Sequence, residues 1–214
     1  MPFMERRRRK PFTRDQLLGI ANYLTYARIA VVPVVLLLMS RIDDSAPLSA
    51  NIAFGWVSMI LLTLAGFSDV VDGFYARRYG VTSSFGKLLD PLADKLLTIS
   101  VMIMLLQMGR INVWFVVLLT ARDVTITALR SMASAEGIEI AASGWGKKKT
   151  LMHMIALGFL QVHYPAIGLD PQRIGTILIW FTLAISLGSG LHYIWAFFSE
   201  VLEKKRPHPS PLLN

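Results

Sequence analysis

Cysteine is missing from the sequence altogether. No disulfide framework and no thiolate chemistry can be invoked, and the redox compartment is left open. Charge is sparse, with Asp, Glu, Lys and Arg together making 17% of the 214 residues, and acidic side chains are the scarcer kind, 14 against 22 basic. What fills the space is apolar: 54% of residues are hydrophobic and the mean hydropathy is +0.50. That surplus is too large for an ordinary water-soluble fold and calls for a lipid bilayer as solvent. The net charge of +8 then reports orientation and contact with anionic head groups, and no nucleic-acid partner is expected. No internal repeat or second domain is visible.

Segments of mostly apolar residues near Tyr23 to Met39, Ser49 to Gly66, Leu88 to Met108, Val113 to Met132, Leu151 to Ile167 and Ile174 to Phe198 are close to the ~20 residues a helix needs to cross a hydrocarbon core. The expected fold class is an all-α integral membrane protein with six transmembrane helices. Phe12 to Ile20, mixing Thr13, Arg14, Asp15 and Gln16 with apolar residues, predicts a short N-terminal interfacial helix. The expected organisation is a basic segment over 1–22, a transmembrane catalytic domain over 23–200 and a tail over 201–214. The start, with Arg6 to Lys10, is read as a cytoplasmic anchor, since no cleavable apolar core follows at signal-peptide spacing. With both termini on one side, the opposite connections hold Arg41, Arg110 and Arg173, and nearly all other basic residues share the face of the termini. The positive-inside rule assigns that face to the cytoplasm.

Four carboxylates, Asp69, Asp72, Asp90 and Asp94, fall where the second span runs into the third. At about 100° per helical residue, Asp69, Asp72, Gly73, Ala76 and Arg77 share one helix face, and Gly86, Asp90 and Asp94 make a similar ladder on the next. Like charges so close at a membrane border would repel. Hard divalent cations with oxygen ligands resolve that repulsion, so one or two Mg²⁺ or Mn²⁺ ions fit, clamping a substrate diphosphate. The small residues leave room for a substrate to approach the backbone; close helix packing is an equal reading of them. Arg77 can fork onto phosphate oxygens. Asp90 before Pro91 suits an N-cap with proline at the first helical position, which would break the ladder there.

These residues spell D-x2-D-G-x2-A-R-x8-G-x3-D-x3-D, which resembles the signature of the CDP-alcohol phosphotransferase family. The resemblance implies six transmembrane helices, a homodimer and a cytoplasm-facing site where a CDP-linked donor loses CMP to an alcohol. It implies metal binding by Asp69, Asp72 and Asp90, a role for Asp94 both near the metals and as general base, and a CDP site lined by Gly73, Ala76, Arg77 and Gly86. Asn22, Thr25 and Arg28 are similar to the N-x2-T-x2-R segment that borders the nucleotide pocket in many members. Asn22 and Thr25 read equally as helix-start residues, and Arg28 as a side chain snorkelling to water.

Downstream, Ala121-Arg122-Asp123, Ala128-Leu129-Arg130 and Ser143 to Thr150 resemble the phosphatidylglycerophosphate synthase branch of the family. Physics gives this basic group a task of its own: an acceptor that is a phosphomonoester, such as glycerol 3-phosphate, brings close to two negative charges and needs Arg or Lys. Arg122 and Arg130 lie eight residues apart, on one helix face, and Lys147 and Lys149 are expected from the following loop. Asp123 is read as a partner that holds Arg122. The expected reaction, with CDP-diacylglycerol and glycerol 3-phosphate as substrates, is located at a bacterial inner membrane. Inositol phosphate or serine as acceptor, and a cation transporter built on intramembrane carboxylates, are the alternatives. His153, His163 and His192 show no ligand spacing and read as packing residues. Ser186 and Gly190 fit a helix-helix contact.

Overall fold

The computed structural model describes residues 14–43, 45–79, 84–135, 145–165 and 168–204, with side chains placed for 23, 25–43, 45–68, 92–135, 149–165 and 168–201. Those residues form six helices and no strand: α1 (Arg14–Ser40), α2 (Leu48–Tyr79), α3 (Ser84–Gln107), α4 (Val113–Ala135), α5 (Trp145–Val162) and α6 (Pro171–Lys204). Each of the six apolar segments thus coincides over most of its length with a helix. Leu48–Ser68 of α2 and Pro171–Val201 of α6 are long and apolar enough to cross a bilayer; Thr25–Ser40 and Lys149–Val162 are shorter apolar stretches.

The helices close into a ring. α1 packs on α2 and α3, α2 on α5, α5 on α6, α6 on α4, and α4 back on α3. The α5–α6 seam is the most extensive, whereas α3 and α4, although consecutive, touch sparingly. The apolar interior runs through Met39, Leu62, Leu97, Leu105, Leu119, Leu157 and Ile179, each at most 1% exposed. Large apolar side chains such as Leu37, Leu64, Trp180, Leu191 and Trp195 face outward.

Three expectations about element boundaries need correction. Residues 14–20 are helical but belong to α1, with no break separating an interfacial helix. α3 runs unbroken from Ser84 through Pro91, so Asp90 is not an N-cap; the proline sits in the second turn, where its missing N–H leaves the carbonyl four residues back without the usual donor. The fifth helix spans Trp145–Val162 in place of Leu151 to Ile167. Its end is set by His163, which adopts a left-handed backbone with φ of 57°, and by Pro165, which disfavours helical geometry at Tyr164. Its start takes in Lys147 and Lys149, which are therefore helical and not in a loop.

The end of α3 is built with equal economy. Gly109 takes φ of 70°, its N–H donates to Leu106 O at 3.0 Å, and the Arg110 N–H donates to Leu105 O at 2.9 Å. This is the Schellman pattern, and glycine meets the left-handed requirement without a Cβ clash. The turn sends the buried Arg110 side chain to the end of α5, where Nη1 donates to Leu160 O at 3.2 Å and Gln161 O at 2.8 Å. A cation at a helix C-terminus meets both the orphan carbonyls and the negative end of the dipole. Gln172 of α6 donates to Arg110 O at 2.9 Å, so α3, α5 and α6 are fastened together at this end.

Candidate active site

α2 ends at Tyr79 and α3 begins at Ser84. Asp69 and Asp94 each lie ten residues from that connection, hence roughly 15 Å along their helices at 1.5 Å per residue. The two aspartate pairs therefore belong to the same end of the ring, at similar depth. The side chains of Asp69, Asp72, Gly73, Ala76, Arg77, Gly86 and Asp90, and those of Asn22 and Lys147, lie outside the described residues. Their backbone positions on α1, α2, α3 and α5 are as the helix bounds give them.

Asp94, half-buried, is described. It stands at the edge of an open cleft of about 610 Å³ lined also by Lys95, Arg122, Asp123, Thr127, Arg130 and Ser131. This cleft lies along the seam between α3 and α4, which touch sparingly. Its walls carry three cations against two carboxylates.

Asp123 organises those cations. Lys95 Nζ of α3 donates to Oδ2 at 2.7 Å, Arg122 Nη1 to Oδ1 at 2.9 Å, and Lys149 Nζ of α5 to Oδ1 at 2.5 Å. Arg122 is fixed twice more, through Nε to Ser186 O at 3.0 Å and Nη2 to Ser189 Oγ at 3.0 Å. Gly190 lets α6 come this close, because a Cβ there would stand 3.1 Å from Arg122 Cγ. The expected contact at Ser186 and Gly190 is thus the seat of an arginine. The exposed Arg130 places its guanidinium 5.8 Å from the ring of Tyr193, also on α6.

Of the expected acceptor-binding group, Arg122 and Arg130 line the cleft. Lys149 is buried at 5% exposure and meets Asp123 from its α5 side. His153, one turn further along α5, is buried as well, and its Nε2 finds no partner among the described residues. Lys95, Ser189 and Tyr193 were not anticipated. Lys95 adjoins the last aspartate of the motif, which was a usable signal; Ser189 and Tyr193 gave none.

Thr25 and Arg28 are buried at 1% and 2%. Arg28 does not snorkel: Nε donates to Ala65 O at 3.3 Å and Nη2 to Ser68 Oγ at 3.4 Å, which braces α2 immediately before Asp69. The N-x2-T-x2-R segment is therefore docked beside the motif that follows it by some forty residues.

A family model described as CDP-alcohol phosphatidyltransferase matches residues 18–188, from the first turns of α1 to the middle of α6. The chain belongs to the CDP-alcohol phosphatidyltransferase family. Among curated members of that family, a Bacillus subtilis protein named CDP-diacylglycerol--glycerol-3-phosphate 3-phosphatidyltransferase is 33% identical over 193 residues, covering 86% of this chain and 95% of the relative. A Rickettsia bellii protein of the same name is 34% identical over 181 residues, covering 83% and 94%. A Mycobacterium tuberculosis protein named probable phosphatidylglycerophosphate synthase is 35% identical over 145 residues, covering 68% and 66%. As a CDP-alcohol phosphatidyltransferase, the chain is an enzyme of phosphoryl transfer, and its aspartate motif and cleft are the places to look for that chemistry.

Proposed function

We infer that this enzyme transfers the phosphatidyl group of CDP-diacylglycerol to glycerol 3-phosphate, releasing CMP. The observation that carries the choice of acceptor is the cleft beside Asp94, where Lys95, Arg122 and Arg130 offer donors to a phosphomonoester. The names of the relatives point to the same acceptor.

In this reading the acceptor's phosphate is held by Arg122 and Arg130, which sets its hydroxyl toward Asp94. Asp94 accepts the hydroxyl proton as the oxygen forms a bond to the lipid-side phosphorus. The bond from that phosphorus to the bridging oxygen breaks, and CMP departs with the electron pair. Asp69, Asp72, Asp90 and Asp94 would hold one or two Mg²⁺ or Mn²⁺ ions. The described part of this donor set fits: Asp94 is a hard oxygen donor at the cleft edge, and Asp90 precedes it by one turn of an unbroken α3. Such ions supply neutralisation of the diphosphate and of the leaving nucleotide. Gly73, Ala76, Arg77 and Gly86, with Asn22 and Thr25, would receive the CDP moiety.

The six helices are read as crossing a bacterial inner membrane with the aspartates at its cytoplasmic border, and the protein as a homodimer. A net-neutral acceptor such as serine would bring no dianionic phosphate to the cleft cations, and a cation pathway would not be lined by them. Inositol phosphate shares the required charge and remains the competitor to test. CMP release by detergent-purified protein with CDP-diacylglycerol and Mg²⁺ should be fastest with glycerol 3-phosphate among glycerol 3-phosphate, inositol phosphate, serine and glycerol. Preference for serine or glycerol would overturn the assignment of the cleft.

A further inference from the structure

The two oxygens of Asp123 are used unequally. Oδ1 receives both Arg122 and Lys149, whereas Oδ2 receives Lys95. Lys149 is enclosed, its side chain 7% exposed, and Arg122 is pinned to α6 by Ser186 and Ser189. Lys95 is different: its side chain is 31% exposed, it lines the cleft, and it follows Asp94 directly in the chain. If Lys95 leaves, Asp123 still faces two cations at Oδ1, so its charge stays compensated. An ammonium on a four-carbon stem can make that move, as a doubly anchored guanidinium cannot.

We propose that Lys95 is a further acceptor-binding residue, kept on Asp123 and handed to the acceptor's phosphomonoester as it enters the cleft. The inference rests on the acceptor reading given above and deepens it. A phosphomonoester carries close to two negative charges, and Asp123 carries one already shared with Arg122 and Lys149, so the entering anion is the stronger partner for Lys95. An acceptor without phosphate gains nothing from Lys95. The residue therefore selects for a phosphorylated alcohol while sitting next to the group that takes its proton.

The test compares full-length protein with Lys95→Gln and Lys95→Arg in detergent, measuring KM for glycerol 3-phosphate, KM for CDP-diacylglycerol, kcat, Tm and competitive inhibition by inorganic phosphate. Loss of one charge-assisted contact predicts for Lys95→Gln a roughly 10- to 100-fold rise in the glycerol 3-phosphate KM. The inhibition constant of inorganic phosphate should rise in parallel, with kcat and the CDP-diacylglycerol KM changed less than about threefold, and Lys95→Arg should recover most of the loss. An unchanged acceptor KM, or a rise without the parallel loss of phosphate inhibition, overturns the proposal. So does a drop in Tm accompanied by equal losses for both substrates, since that is a packing defect. Failure of the acceptor reading itself shows separately, as preference of the unsubstituted protein for a neutral alcohol.

Discussion

Asp123 gathers cations from three helices onto one carboxylate, and Lys149, nearly enclosed, has its charge balanced there. Removing one partner of such an enclosed group is costly because the other is left uncompensated. Asp123→Ala is expected to destabilise the protein by on the order of 3 kcal/mol, seen as a lower Tm in detergent, and Lys149→Met in the same background should restore much of it. Asp94→Asn, by contrast, should abolish turnover while CDP-diacylglycerol binding persists; full loss of binding would move Asp94 from proton acceptor to donor-site ligand. Arg130→Ala should mainly raise the KM for glycerol 3-phosphate, by about tenfold for one lost charged contact. The sequence made the four aspartates conspicuous because like charges at fixed helical spacing have few structural reasons to exist. It showed Lys95 only as a neighbour of the motif, because a lysine after Asp94 looks like ordinary topology charge and its partner lies 28 residues further on. It concealed the burial of Arg28 for the same reason: only the docking of α1 on α2 decides whether a long cationic stem points out or in.

At the level of elements, hydropathy found every helix but misjudged their limits. Windows of apolar residues stop at the first cluster of lysines, so α5 was expected to start after Lys149, although lysines are good helix formers. They run past breakers too, and so missed the left-handed His163. The Gly109 turn gives an element-scale prediction. Gly109→Ala must place a Cβ at φ of 70°, which costs about 1 kcal/mol. Arg110→Ala removes the donors to Leu160 O and Gln161 O and should cost about 1 to 3 kcal/mol. Both variants should unfold at lower temperature with KM for either substrate unchanged; a selective acceptor defect would mean that this end of the ring communicates with the cleft.

The ring as a whole was only half legible. The six helices among the described residues followed from the apolar spacing, but the order around the ring, with α5 between α2 and α6 and the loosest seam between neighbours α3 and α4, depends on side-chain complementarity that no periodicity reports. The missing cysteine now becomes useful. Ser45→Cys, in the exposed α1–α2 connection, and Ser210→Cys, in the tail, would each be the sole thiol of the chain. A membrane-impermeant maleimide should label the first in intact cells and the second only after permeabilisation; the reverse pattern would invert the orientation. A last consequence concerns α3 itself. It carries Asp94 and Lys95 near its middle and runs into the Gly109–Arg110 turn at its end, some 21 Å further on at 1.5 Å per residue. At that separation Arg110→Ala and Lys95→Gln should shift stability additively to within about 0.5 kcal/mol. The helix then works as an insulating spar: the fastening end can drift or be strengthened by mutation while the reactive stretch at mid-helix keeps its choice of acceptor.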